Sequence, residues 1–303
     1  VRESRRGRDV TRGQRRAGRL LAAPALLVIV GTVVVPMIMA TYLSFTSYDL
    51  LSAPRWVGLR NYARLFGDPV VAKATLNTLV FAGGQVAVGV VVAFFVAMLF
   101  NGPLVGGRLV RTAMYVPQAM SYVTVALLWS FLYDPAFGPI NAWLRSAGFG
   151  TVHFLTDTSL AMPSIMAMSL WRNLGYYMII LLAGLKAIPP EQQEAAQIDG
   201  AGWWARLLHV TIPHMRGPLF FVAVTWFLGG LQMFTQAYVM TQGGPVHATR
   251  TVVYEMYESA FTALDIGRAC AVAVLMCAAV LVVALPVRLA EIVKTRRETR
   301  AFA

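Results

Sequence analysis

Lysine, arginine, aspartate and glutamate are missing from five long runs of this chain, residues 20–48, 74–107, 112–133, 217–249 and 269–287. A sixth, 158–185, carries a single charge, Arg172. A bilayer's hydrocarbon core is about 30 Å thick, and a helix rising about 1.5 Å per residue crosses it in about 20 apolar residues. Every run is long enough. The expectation is an all-α polytopic membrane protein with six transmembrane helices, their cores near 20–44, 77–100, 112–133, 160–184, 218–240 and 269–287. Only 13% of the 303 residues are charged, about half the roughly 25% of a soluble domain. An ordinary soluble enzyme is excluded on that ground.

Eight arginines fall within the first 19 residues and lead into the first apolar run. A signal peptide is the alternative, but its apolar region spans about 7–15 residues, roughly half the run from Leu20 to Phe45. That run is expected to stay as helix one. A basic tail can also contact nucleic acid; directly before a membrane span it reads as an orientation signal. With the N-terminus cytoplasmic, six spans return the C-terminus to the same side, and the cytoplasmic segments hold 18 of the 26 Lys and Arg residues. The first outer loop, with Arg55, Arg60, Arg64 and Lys73, runs against this pattern, and the two strongly basic termini outweigh it. The expected division is a basic cytoplasmic N-tail over 1–19, a six-helix membrane domain over 20–291 and a basic cytoplasmic C-tail over 292–303.

Cys270 and Cys277 fall in the last span seven residues apart, too far along a helix to bond each other. The four histidines, His153, His209, His214 and His247, fall in loops with no metal-like pairing. The connection from Lys186 to Pro218 is more informative, because it is amphipathic. Pro189 and Pro190 sit where a helix can begin, Glu191, Gln192 and Glu194 fill its first turns, and Gly200 breaks it. A second short helix is expected through Trp203, Trp204, Leu207 and Leu208, ended by Pro213. Such a helix-turn-helix either lies on lipid, as two adjacent tryptophans suggest, or docks a partner protein.

Glu194-Ala195-Ala196, then Ile198-Asp199-Gly200-Ala201, then Val210, Ile212 and Pro213 resemble the EAA loop of binding-protein-dependent ABC importer permeases, with conservative changes at Val210 and Ile212. Further stretches look like the maltose, lactose and glycerol-phosphate permease group in its first-subunit version. They are Val57-Gly58-Leu59, Asn61-Tyr62 and Asn77-Thr78, Arg111 to Pro117, Gly184-Leu185-Lys186 with Ile188-Pro189, and Gly243-Gly244-Pro245 with Thr251 and Tyr257 to Phe261. The resemblance leaves out the two basic tails.

It implies a type I importer permease in a bacterial-type inner membrane, forming half of a pore with a second homologous permease subunit. Two ATPase subunits dock below, an extracytoplasmic sugar-binding protein delivers solute, and nucleic acid has no part. The chain itself has no G-x-x-x-x-G-K-[ST] phosphate loop. No catalytic residue, metal or cofactor is therefore assigned to it, and ATP and Mg are expected on the partner ATPase. The coupling loop spans 187–217; Glu194 is the expected polar contact, Ala195 and Ala196 keep its face small, Gly200 makes the turn, and Asp199 and Ala201 flank it.

For the solute path, Arg172 stands near mid-span in helix four, where a charge costs roughly 2.5–3.5 kcal/mol on insertion scales. It either faces the pore or partners another helix. Ser169, Asn173 and Tyr176 recur beside it at helical spacing, and Trp226, Gly230 and Met233 with Gln232 form a stripe on helix five. By counting back from Glu194, several of these fall at sugar-contacting positions of the maltose-type relative; the helix-five stripe fits helix packing equally well. A glycerol-phosphate or phosphodiester importer is the variant in which Arg172 meets an anion. A membrane enzyme lacks convergent catalytic groups, and a secondary transporter would want acidic residues within the spans, which have none.

Overall fold

The computed structural model describes Ala17 and residues 21–102 and 106–301, with side chains placed as far as 285. The tail read over 1–19 thus lies outside the described residues save Ala17, and of 292–303 only helical backbone through Ala301 is described. The helices, in order, are α1 (Leu21–Ser44), α2 (Arg60–Gly67), α3 (Pro69–Leu99), α4 (Gly107–Ala119), α5 (Tyr122–Leu132) and α6 (Pro139–Ser146). They continue as α7 (Ala161–Lys186), α8 (Pro190–Ile198), α9 (Trp203–Leu231), α10 (Thr235–Met240), α11 (Val252–Tyr257) and α12 (Ile266–Ala301). Among the described residues the strand content is one small hairpin, β1 (Thr46–Ser47) antiparallel to β2 (Arg55–Trp56).

Five helices are long and apolar enough to cross a membrane: α1, α3, α7, α9 and the Ile266–Leu285 part of α12. The expected third span, 112–133, is instead two helices, α4 and α5, parted at Met120 and Ser121. Pro117 removes an amide from the last turn of α4, and the chain is extended at Met120 before α5 begins. The expected fifth span, 218–240, is also divided, since α9 ends at Leu231 and α10 starts at Thr235. Among the described residues five of the six expected spans thus overlap a continuous helix of crossing length, and the third is the one that does not.

Pro213 needs a second correction. It does not end a short loop helix, because α9 runs unbroken from Trp203 through it to Leu231. Five residues, Leu207–Thr211, wind as a π turn just before the proline. The wider turn accommodates a ring and a missing amide that an α-helix interior rejects. The same pairing occurs in α1, where the π turn Val30–Val34 precedes Pro36.

The described residues fall into two compact units, those up to Leu65 together with Glu258–Leu275, and those of Phe66–Tyr257 together with those from Met276 onward. In the first, Gly58 turns the chain at φ 59°, and buried Asn61 donates through Nδ2 to the carbonyls of Ser44 (2.9 Å) and Thr46 (2.8 Å). The Val57-to-Tyr62 pattern is thus a turn followed by a clasp on the end of α1.

In the second unit α3, α7 and α9 pack together and α4 lies along α7. Gly175 permits the α4–α7 approach, since a Cβ there would overlap the Met114 carbonyl. Apolar side chains sort into two clusters. One gathers Phe94, Met178, Leu181, Leu185, Met215 and Val222; the other gathers Phe81, Val125, Ile165, Met168, Met233 and Met240. Asn77 and Thr78 fasten the segment before α11: Asn77 Nδ2 donates to the carbonyls of His247 and Arg250, both at 2.8 Å, and Thr78 Oγ1 accepts from Val252 N at 3.0 Å.

Gly175→Ala should push α4 from α7 and lower the melting temperature of the detergent-solubilised protein, by about 1–3 kcal/mol of overpacking. Gly217→Ala, on α9 with open space around it, should leave the melting temperature unchanged in the same thermal scan.

Candidate functional site

Between the two apolar clusters α3, α7 and α9 each present polar or aromatic groups at the same level. They enclose a cavity of about 310 Å³ whose lining includes Gln85, Gln118, Tyr122, Arg172, Asn173, Tyr177, Trp226, Gln232 and Gln236. Two fixed arrangements form its wall. In the first, Gln85 donates through Nε2 to the Met166 carbonyl (2.8 Å) and accepts from Trp226 Nε1 (3.1 Å). Tyr177 then stacks on Trp226 with centroids 4.1 Å apart and planes 16° from parallel. Gly89 leaves the space the indole needs, because a Cβ there would strike the ring.

The second arrangement surrounds Arg172, which is only 7% exposed. Its Nη1 donates to Gln118 Oε1 (2.9 Å) and Asn173 Oδ1 (3.1 Å), and its Nη2 donates to the carbonyls of Gln118 (3.1 Å) and Met120 (2.8 Å). The guanidinium carbon lies 3.7 Å from the centre of the Tyr122 ring, a cation–π distance. No carboxylate lines the cavity. The charge is solvated by neutral oxygens and a ring face, and its buried Nε is left without a partner. Three of these bonds tie α7 to the end of α4 at its break from α5, and the contact with the Tyr122 ring reaches the start of α5.

Of the expected path residues, the structure brings Arg172, Asn173, Trp226, Gly230 and Gln232 to this cavity. Gly230 also meets α3, where a Cβ would come within 2.8 Å of the Ala82 Cα. Ser169, Tyr176 and Met233 are elsewhere: Ser169 is buried with an unpartnered hydroxyl, Tyr176 is exposed, and Met233 is in an apolar cluster. Sequence reasoning missed Gln85, Gln118, Tyr122, Tyr177 and Gln236. A lone amide in a charge-free run was the available signal for Gln85.

The loop after α7 forms a second candidate element. Pro190 starts α8, and its end is a Schellman motif: the N–H of Ala201 reaches the Ala196 carbonyl (2.9 Å), that of Gly200 reaches Gln197 (3.0 Å), and Gly200 has φ 79°. Glu194, Ala195, Asp199 and Gly200 are exposed, while Ala196 and Ala201 are partly covered. Gln193 Nε2 donates to Thr211 Oγ1 (3.3 Å), joining α8 to the π turn of α9. Ile198 is 86% exposed, and Trp203 and Trp204, meeting edge to face at 4.5 Å, are exposed with Leu208. An apolar patch of this kind marks a contact surface.

Residues 89–298 match the family described as the binding-protein-dependent transport system inner membrane component. The chain belongs to that family. A probable ABC transporter permease of Pyrococcus horikoshii is 32% identical, over 88% of this chain and 92% of the relative. YurN of Bacillus subtilis, also a probable ABC transporter permease, is 32% identical over 84% and 88%. The sn-glycerol-3-phosphate transport system permease protein UgpA of Yersinia pestis is 33% identical over 73% and 75%. Among solved structures, a bacterial alginate ABC transporter crystallised with an alginate pentasaccharide-bound periplasmic protein superposes with a TM-score of 0.80, covering 92% of this chain and 94% of that one at 23% identity. That likeness shows a shared fold.

Arg172→Met should leave the carbonyls of Gln118 and Met120 without their donor. The expected loss is about 1–3 kcal/mol for each acceptor stranded, read as a lower melting temperature than for Asn173→Ala, which strands only side-chain partners.

Proposed function

We propose that this permease forms one half of a translocation pore that imports a carbohydrate, driven by ATP hydrolysed elsewhere. The observation that carries the solute reading is the cavity itself, which combines a stacked Trp226–Tyr177 face with the amides of Asn173, Gln232 and Gln236. Sugar rings offer apolar C–H faces to aromatic groups and hydroxyls to amides, and such a site needs few precisely placed polar groups. The printed identity of the alginate transporter supports the same class. A second homologous permease completes the pore, two ATPase subunits bind ATP and Mg, and an extracytoplasmic binding protein supplies the sugar. This chain contributes no cofactor and no catalytic group.

The α8 hairpin is the proposed ATPase contact, through exposed Glu194, Ala195, Asp199 and Gly200 with the partly covered Ala196 and Ala201 beside them. Both termini then lie in the cytoplasm, on the side of that hairpin, in keeping with the distribution of basic residues. Closure of the ATPase pair shifts the population between inward- and outward-facing pores.

The partner-free Nε of Arg172 supports a second reading, a phosphorylated or otherwise anionic solute. Uptake of a neutral oligosaccharide and of glycerol-phosphate by the reconstituted importer separates the two. Glu194→Lys should leave the subunit in the membrane, detected by fractionation, and reduce ATP-coupled uptake at least about tenfold, as expected for losing more than about 1.4 kcal/mol of coupling. Full uptake by that variant would remove the hairpin from the coupling role.

A further inference from the structure

A second concavity lies on the surface between α4 and α7, apart from the solute cavity. The two helices touch where Gly175 meets the backbone of Met114. Towards the start of α4 and the end of α7 they part and open a groove of about 460 Å³. Its floor is apolar, formed by Tyr115, Ile179, Leu182 and Ala183, and its rim carries Arg108, Arg111 and Lys186. No acidic side chain lines it, and none of the three cations has an ion pair among the described residues. Arg111 is partly committed, donating through Nη2 to the Phe100 carbonyl at 2.9 Å, while its buried Nε has no partner. The first turn of α4, beginning at Gly107, adds the positive end of a helix dipole to the same rim.

Three cations around one groove repel one another until an anion joins them. Lys186 is the last residue of α7, so the rim stands where the apolar length of that helix ends and the phosphates of a bilayer lie. Basic pockets between membrane helices are the recognised setting for acidic headgroups. A soluble phosphate would use the rim and leave the floor bare. A helix from another chain would cover the floor and leave the cations unmatched. The geometry points to an anionic phospholipid of the phosphatidylglycerol type, its phosphate among Arg108, Arg111 and Lys186 and an acyl chain along Ile179 and Ala183. This assignment is independent of which solute the pore carries.

Native mass spectrometry of the assembled importer, released from membranes holding equal phosphatidylglycerol and phosphatidylcholine, should find the anionic lipid retained in preference. Arg108→Gln with Lys186→Gln changes two exposed side chains and should weaken that retention about fivefold for each cation removed. Arg64→Gln with Lys73→Gln, equally exposed outside the groove, should not. A photoreactive residue at Ala183 should label the lipid, and millimolar inorganic phosphate should not displace it. Equal retention of both lipids, an unchanged preference in the groove variant, displacement by phosphate, or labelling of another polypeptide from Ala183 would each overturn the assignment.

Discussion

A helix that stops inside a bilayer strands backbone carbonyls that lipid cannot satisfy. An arginine placed there strands a charge. In this permease the two problems meet and cancel: α4 stops at Ala119, and Arg172 on α7 donates to the carbonyls of Gln118 and Met120 at that break. The gap between α9 and α10 is handled in the same manner by a neutral group, as Thr251 Oγ1 donates to the Met233 carbonyl at 2.7 Å. Gln118, Gln232 and Thr235, beside the two breaks, all line the central cavity. At these two breaks the irregular backbone is thus received by protein or by the cavity, and not by lipid.

That constraint explains which parts of the fold were legible in the sequence. The long spans could be read because the absence of charge accumulates over some 20 residues: the observed helix Ala161–Lys186 starts and stops within two residues of the reading, and the first helix ends at Ser44 as read. The breaks could not, since their stabilising partners are remote: Arg172 is 54 residues from Gln118, and Thr251 is 18 from Met233. Pro117 was a local hint, yet Pro213, equally conspicuous, breaks nothing because a π turn absorbs it. The cavity was legible in part. Helical spacing marked a face of α7 but could not choose between neighbours, and the structure sets Tyr177 against Trp226 while Tyr176, one residue earlier, is exposed.

The hairpin was the most legible element, and its spacing has a physical reason. Three residues between Ala196 and Gly200 are what a Schellman ending requires, with Ala196 accepting from Ala201 and Gly200 alone suited to φ 79°. A pattern fixed by backbone closure within six residues needs no distant partner, so it survives intact in one dimension.

On the proposed function, the continuity of α9 is what makes the hairpin useful. Thr211, which accepts from Gln193 of α8, belongs to the π turn of the helix that carries Trp226 and Gly230 to the cavity wall. Trp203 and Trp226 are 23 positions apart on that unbroken helix, about 35 Å at 1.5 Å per residue. Had Pro213 ended a separate loop helix, a displacement at the hairpin would dissipate in a flexible joint before reaching the cavity. The π turn therefore serves two ends at once: it admits the proline without a break, and it supplies the hydroxyl through which the hairpin grips the helix.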